Sequence, residues 1–191
     1  MKNLMIFFLI FNIQCLSQKE ANMDNKINVN IVGGQKINYI GGGIPVTLTV
    51  SNNTNQGISI LLFYPNPNGL SFDSTSPLLK KKETLWNDSE RSIPIIIPPR
   101  SSYQTTYFLN RYFEFLNEGI VSISYSLELL ATIKNDKPQS STYNGVFTIK
   151  VESENREEIK KQYNYYKNNM NSIDFRIKKE AEEALLWLNL E

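Results

Sequence analysis

Residues 103–130 read YQTTYFLNRYFEFLNEGIVSISYSLELL, and this stretch decides the fold. In its second half, apolar residues at every other position from Val121 to Leu129 alternate with serines and a glutamate. A period of two is that of a β-strand with one buried and one solvated face. Residues 103–109 alternate in the same way. The stretch therefore predicts two strands separated by a corner.

The corner lies at Asn117-Glu118-Gly119, where glycine can adopt the positive φ that a chain reversal often needs. Two strands joined across a short corner are typical of an antiparallel β-sandwich. Further apolar runs surround this stretch, at residues 27–31, 44–50, 58–64, 70–72, 93–97 and 147–151. The sequence thus predicts a mainly β fold, an antiparallel β-sandwich of seven or eight strands.

The runs differ in the environment that they predict. Residues 58–64 are almost continuously apolar, which favours a central strand covered on both faces. Pro94 interrupts the run at 93–97 and Pro98-Pro99 closes it, so this run predicts an edge strand. Apart from the short strand at its start, the segment 70–92 has the composition of a long surface excursion, and residues 135–141 that of a polar loop.

Short strands with closely spaced turns are the pattern of an immunoglobulin-like sandwich. The order GGGIPVTLTVSNNT (41–54) followed by IPPRSSYQTTYFLNRYFEFLNEGIVSISYSL (97–127) resembles a loose class of bacterial extracytoplasmic immunoglobulin-like domains. In that class a Gly-Pro-led strand ends in a polar Asn turn, and a Pro-containing loop precedes the aromatic strand. The resemblance covers about residues 26–151. It implies a fold and no activity, and the cysteine pair and central tryptophan of many such domains are missing here.

Beyond residue 151 the apolar period becomes helical. Between residues 154 and 170, one stripe of a helix consists of Ile159, Tyr163, Tyr166 and Met170. A second helix, capped by Ser172 or Asp174, has the predicted core stripe Ile177, Ala181, Ala184, Leu185 and Leu188. Residues 152–191 therefore predict a helical hairpin packed on the sandwich or on a partner. The Ala-x-x-Ala-Leu-x-x-Leu spacing of the second helix weakly resembles a HEAT-type repeat.

The N-terminus, MKNLMIFFLIFNIQCLSQ, carries one lysine and then an apolar run too short to span a bilayer. This pattern predicts a secretory signal peptide at residues 1–17, cleaved after Ser17. Alternatively, lipidation of Cys15 tethers the protein to a membrane as a lipoprotein. Cys15 is the only cysteine, so the mature chain has no disulfide, and export without disulfides is typical of bacteria. We expect a periplasmic or extracellular protein, with a membrane-anchored form as the alternative.

The composition excludes most catalytic chemistry. The chain contains no histidine, which removes Ser-His-Asp and Cys-His catalysis and nearly all zinc sites. Its four acids in the 70–92 segment are those of a solvated loop. A formal net charge of +1 does not favour nucleic-acid binding. We therefore expect no enzyme, no cofactor, no metal and no nucleic-acid partner.

Two segments are candidates for contact with a partner protein. The basic run Lys80, Lys81 and Lys82 stands near Trp86, and these residues form either a contact patch with Trp86 as its anchor or a solvated loop folded over the sandwich edge. On the last helix, Leu186, Trp187 and Leu190 widen the apolar stripe beyond one packing face. Either the helix is packed between two surfaces, or this patch binds a partner or a second copy of the chain.

A third set of residues is aromatic and has two interpretations. Its members are Tyr103, Tyr107, Phe108, Tyr112, Phe113 and Phe115. They form either the core of the sandwich or a platform on which sugars stack. The leading hypothesis is accordingly a non-catalytic exported binding protein that acts through protein–protein contacts. A sharper version is an immunity or inhibitor protein against a toxin or hydrolase, and the alternative is a carbohydrate- or cell-envelope-associated accessory module.

Overall fold

The computed structural model describes residues 26–62, 69–83, 94–133 and 136–188. The predicted signal peptide and Cys15 lie outside these residues. The described strands are β1 (Ile27–Gly33), β2 (Asn38–Tyr39), β3 (Pro45–Asn52), β4 (Ile58–Leu62), β5 (Leu70–Asp73), β6 (Leu79–Lys81), β7 (Ile95–Ile97), β8 (Ser102–Phe108), β9 (Phe113–Phe115), β10 (Gly119–Ile133) and β11 (Gln139–Glu152). A 3₁₀ turn (Leu109–Arg111) separates β8 from β9, and the helices are α1 (Arg156–Asn169) and α2 (Phe175–Trp187).

The strands form two facing sheets and a small third one. The first sheet has the order β1-β3-β8, and the second the order β2-β11-β10-β4-β7, with β5 also paired to β10. The third consists of β6 and β9. Pairing is antiparallel except between β2 and β11. The predicted mainly β sandwich with a C-terminal helical hairpin is confirmed.

The eight predicted runs correspond to β1, β3, β4, β5, β7, β8, β10 and β11. The strands without a predicted counterpart are β2, β6 and β9, which have only two or three residues each. Such short segments show no period that a sequence pattern can reveal. The 103–130 stretch contributes β8 to the first sheet and β10 to the second, so its corner carries the chain from one layer to the other.

Strand β10 follows the predicted alternation. Val121 and Ile123 are buried, whereas Ser122 and Ser124 are exposed. At the corner, Gly119 has a φ of +149°, and a Cβ atom there would lie 2.6 Å from Leu78 Cδ1. The glycine is therefore required both by the backbone conformation and by the packing of Leu78 against it.

Three details of the prediction were wrong. Residues 139–141 belong to β11, which pairs with β10 as far as Ala131, so the polar loop is shorter than 135–141. Polar side chains on this part of β11 are exposed while its backbone is paired, and the composition therefore resembles a loop. The 70–92 segment contains strand β6. Residues Ser59 and Leu61 of β4 are only half-buried, so one face of that strand is incompletely covered.

The helical hairpin packs on the first sheet through a cluster of its own. This helix cluster consists of Phe108, Ile159, Tyr166, Ala181, Ala184 and Leu188. Phe108 of β8 is fully buried, and its ring meets that of Tyr166 edge-on at 5.9 Å between centroids. The side chain of Asn155 caps α1 by accepting from Glu158 N (3.2 Å), and Asp174 caps α2 by accepting from Arg176 N (2.8 Å).

The predicted core stripe of α2 begins one turn too early. Ile177 is 42% exposed, and the buried residues of the helix start at Ala181. The hydrophobic period continues toward the start of the helix, but no described element covers Ile177 there. The N-terminal half of α2 consequently stands away from the core.

The two open sides of the sandwich differ. On one side, β1 packs near β11, and a Cβ atom on Gly33 would lie 3.1 Å from Ile149 Cγ2. On the other side, β8 pairs only with β3 and β7 only with β4 within the described residues. There, the buried side chain of Asn52 donates from Nδ2 to the carbonyl oxygens of Gln56 (2.7 Å), Ile97 (3.1 Å) and Pro98 (2.9 Å). Asn52 therefore ties the end of β3 to β7 across the layers.

Candidate protein-binding surface

A groove runs along the unpaired edge of β8, between this strand and the N-terminal half of α2. Its volume is about 890 Å³. We call it the edge groove. Its lining residues are Thr47, Leu62, Ile95, Tyr103, Gln104, Thr105, Thr106, Tyr107, Asp174, Phe175, Arg176, Ile177, Lys179, Glu180 and Glu183. The groove thus reaches from the helix over the strand edge to the second sheet, which contributes Leu62 and Ile95.

The hydrogen-bond pattern shows which backbone groups of β8 face the groove. At the two ends of the β3–β8 ladder, Asn52 N donates to Ser101 O (2.9 Å) and Leu109 N donates to Ile44 O (2.9 Å). Because hydrogen-bonded pairs alternate along an antiparallel ladder, every second residue between these ends bonds to β3. Gln104 and Thr106 are two of the intervening residues, so their N–H and C=O groups point away from β3. No described strand pairs with that edge.

The helical wall of the groove combines apolar and charged side chains. Phe175 is 72% exposed, and together with Ile177 it forms an apolar rim. The carboxylate of Glu180 is half-buried and hydrogen-bonded to the side chain of Thr106. Burial raises the pKa of Glu180, and the Thr106 hydrogen bond opposes this shift. No ion pair with Glu180 is found in the described part of the chain.

Two other carboxylates of this wall have cationic partners. Asp174 pairs with Arg176 at 3.2 Å, and this contact lowers the pKa of the Asp174 carboxyl. Glu183 pairs with Arg111 at 3.8 Å, and both side chains are largely shielded from solvent. Glu180 therefore differs from its neighbours, because it is partly desolvated and lacks a cationic partner among the described residues.

The C-terminal end of α2 meets the basic run predicted from the sequence. Lys82 Nζ donates to Asn110 O (2.8 Å) and lies 5.2 Å from the ring centroid of Trp187. This geometry is that of a cation–π contact. The structure thus brings together two predicted contact residues that are far apart in the sequence. Trp187 is half-buried and packs against the helix cluster, while Leu186 beside it is 75% exposed.

The other two lysines of the run are on β6 and face carboxylates. Lys80 lies 3.9 Å from Glu114, and Lys81 lies 3.1 Å from Asp73, whose pKa it lowers. Lys80 and Lys81 are exposed and Leu78 and Leu79 pack against the sandwich core, as the solvated-loop interpretation required, but the two lysines lie on a strand rather than in a loop. Trp86 and Leu190 lie outside the described residues.

The aromatic set forms core rather than a sugar platform. Tyr107, Phe108, Tyr112, Phe113 and Phe115 are all buried, and Tyr103 packs against the core from a partly buried position. Burial also raises the pKa of the Tyr112 hydroxyl. The stacking interpretation therefore has no exposed aromatic surface in this set.

Several groove residues were not predicted from the sequence. They are Gln104, Thr106, Phe175 and Glu180. Strand β8, unlike β7, has no proline within or directly beside it to mark it as an edge strand, so its free edge had no signal in the local pattern. The exposed Phe175 directly after the Asp174 cap was the one available signal, since an aromatic residue at the first turn of a helix lies outside the predicted stripe.

Two further findings concern sites other than the groove. The described residues contain no group of three or more His, Cys, Asp or Glu side chains arranged to hold a metal ion. Neither of the helices described here has the length and apolar character needed to cross a bilayer.

No family model matches the chain. No curated protein matches it in sequence either. Among solved structures, PapD-like domain 7 of human CEP192 has 9% identity over 69% of this chain and 88% of its own, with a TM-score of 0.33. The Salmonella enterica SafA pilin in complex with the SafB chaperone has 11% identity, covering 66% of this chain and 55% of that chain, with a TM-score of 0.30.

A third structure, WR4, a C. elegans MSP family member, has 7% identity over 64% of this chain and 96% of its own, with a TM-score of 0.27. These neighbours have β-sandwich folds. At such identities and scores the likeness carries no argument about activity or partners.

Proposed function

We propose that this chain is a non-catalytic, exported protein-binding module whose contact surface is centred on α2 and the free edge of β8. The observation that carries this proposal is the edge groove itself. It combines an unpaired strand edge with an apolar rim that no described element covers. Exposed apolar side chains on one helix are typical of a surface that becomes buried on association.

Protein is favoured over other classes of partner by the chemistry of this surface. The six aromatic residues that a sugar platform required are core or packed against core. Arg111 and Arg176 near the groove are paired with carboxylates, and the net charge of +1 provides no field for a polyanion. Backbone hydrogen-bonding groups together with apolar side chains match the composition of another polypeptide.

Export and an immunity or inhibitor role are part of the same proposal. They rest on the N-terminal apolar run with Cys15 and on the absence of histidine from the sequence. An inhibitor needs a rigid surface and no reactive centre, and a sandwich with an open groove is suited to that role. Lipidation of Cys15 would place the same surface at a membrane, and labelling with a palmitate analogue distinguishes the two forms.

The test is capture of envelope and secreted proteins from the source cell with the mature chain. We expect one stoichiometric protein partner, and capture reduced in the double variant Phe175→Ala/Ile177→Ala. Tyr165→Ala is the matched control, because Tyr165 is also exposed (61%) and helical but lies outside the groove. Retention on peptidoglycan or polysaccharide alone would instead support the accessory-module alternative. Unchanged capture by Trp86→Ala and Trp187→Ala would show that the contact does not extend to the basic run.

A further inference from the structure

The edge groove presents backbone groups that only a limited set of occupants can satisfy. Gln104 and Thr106 each direct one N–H and one C=O outward, and the side chain of Gln104 is exposed. These four groups are spaced as in any strand of an antiparallel or parallel ladder. A rigid apolar surface cannot pair with them, whereas an extended backbone can.

The side chains around this edge are arranged for a strand with two different faces. Leu62 and Ile95 of the second sheet lie on one side of the edge, and Phe175 and Ile177 lie on the helical side. An added strand would point alternate side chains toward these two apolar regions. The groove follows β8, whose seven residues provide a pairing length of roughly 20 Å.

The charged side chains of the groove further restrict the class of ligand that it can bind. Glu180 is the groove carboxylate without a cationic partner in the described residues, while Asp174 and Glu183 have Arg176 and Arg111. A partly desolvated carboxylate is stabilised by a cation brought to it by a ligand. A lysine or arginine in the occupant would supply that cation next to Thr106.

We infer that the edge groove binds an extended segment of a partner protein, which adds to β8 as a further strand and places a Lys or Arg side chain against Glu180. This inference rests on the proposed protein-binding function and specifies the class of its ligand. Main-chain pairing supplies affinity in such an arrangement, and the apolar regions and Glu180 supply selectivity.

A library of random displayed peptides of about twelve residues, selected on the full chain, provides the probe, since that length exceeds the span of β8. We expect enrichment of peptides in which a Lys or Arg is flanked by apolar residues at alternate positions. Replacing a central residue of an enriched peptide by proline should abolish binding, because proline removes a ladder donor.

Variants of the chain test the two recognition elements separately. Gln104→Pro removes an outward N–H and leaves the β3 ladder intact, and we expect enriched peptides to bind about tenfold more weakly or worse. Gln104→Ala keeps that N–H and is the matched control, with affinity within about threefold of the wild type. Glu180→Lys should shift the selected peptides from basic to acidic residues. Unchanged unfolding midpoints establish that each variant is folded.

Three outcomes of the peptide experiments would overturn the inference. They are the absence of any enriched peptide, enriched peptides that bind Gln104→Pro as well as Gln104→Ala, and a charge preference that Glu180→Lys leaves unchanged. A concentration-dependent dimer that Gln104→Pro dissociates would also overturn it, because a second copy would then occupy the edge. If a protein partner is captured but no peptide is enriched, the inference fails and the proposed function stands. If peptides bind and no protein partner is captured, the groove's selectivity for extended segments stands and the proposed function fails.

Discussion

The two sides of this sandwich hold the two sheets together in different ways. On the closed side, β1 packs near β11, β2 extends the second sheet, and buried apolar residues such as Ile31 and Ile149 fill the seam. On the open side, β7 and β8 end their sheets, and the hydrogen bonds of Asn52 join the two layers. The closed side is stabilised by burial, whereas the open side combines local polar ties with exposed backbone. This difference separates the scaffold from the proposed binding surface.

The largest expected effect concerns the attachment of the hairpin. Phe108→Ala removes the aromatic residue that links β8 to the helix cluster, and we expect a loss of about 4 kcal/mol in the free energy of unfolding. Amide hydrogens of α1 and α2 should then exchange before those of β10. Phe72→Ala, at an equally buried site of the sandwich core, should cost a similar amount without this separation. Simultaneous exchange in both variants would show that the two clusters unfold as one.

The second-largest expected effect concerns the hydrogen bonds by which Asn52 links β3 to β7 on the open side. Asn52→Ala leaves the carbonyl groups of Ile97 and Pro98 without their donor, and we expect a loss of about 3 kcal/mol in urea unfolding. Asn53→Ala is the control, because the side chain of Asn53 is exposed, and it should change stability by less than about 0.5 kcal/mol. Equal losses would mean that the open side does not depend on Asn52.

A matched pair of valine substitutions compares the two sides directly. Gly33→Val places new atoms against Ile149 on the closed side and should cost about 2 kcal/mol through overpacking. Gln104→Val occupies the free edge of β8 and should cost less than about 0.5 kcal/mol. Thermal unfolding of both variants measures the difference. A larger loss for Gln104→Val would reveal packing at the edge.

The smallest effect depends on pH and concerns Glu180. Its pKa in the folded state lies above the ordinary value of 4.5, because burial penalises the charge, so folding becomes less favourable as the pH rises through the folded pKa. Glu180→Gln removes this penalty and should unfold at a higher temperature than the wild type at neutral pH. Thr106 is the hydrogen-bond partner of Glu180, and the ionisable residues that interact with Glu180 or line the groove with it are Tyr103, Tyr107, Tyr166, Asp174, Arg176, Lys179 and Glu183.

Below pH 4.5 the carboxyl is protonated in both states, and the difference between the two proteins should disappear. A difference that persists unchanged at low pH would assign the stabilisation to packing of the amide rather than to the charge.

The sequence predicted the layers of this protein because their signal is local. Alternation along β10 and the helical period of α1 are both present in the fold, since each reflects a single buried face. The edge groove had no such signal. It depends on which strand lies at the edge of a sheet and on where other elements no longer pack against α2. Both features result from contacts between distant parts of the chain.

The predicted contact residues show the same division. Trp187 was identified from an excess of apolar residues on one helix, and it does lie at the surface of the helix cluster. Its proximity to Lys82 was not predictable, because it follows from the pairing of β6 with β9 beside the 3₁₀ turn. Glu180 was missed altogether, since one glutamate on an amphipathic helix does not differ in sequence from the solvated glutamates around it.

Pro45 has a consequence for one end of the first sheet. Gly34 N donates to Pro45 O (3.0 Å), so these two residues form a hydrogen-bonded pair that continues the β1–β3 ladder. Proline has no N–H, so Pro45 cannot return the second hydrogen bond of that pair. Strand β1 is therefore held by a single bond at its C-terminal end, and we expect it to fray from there.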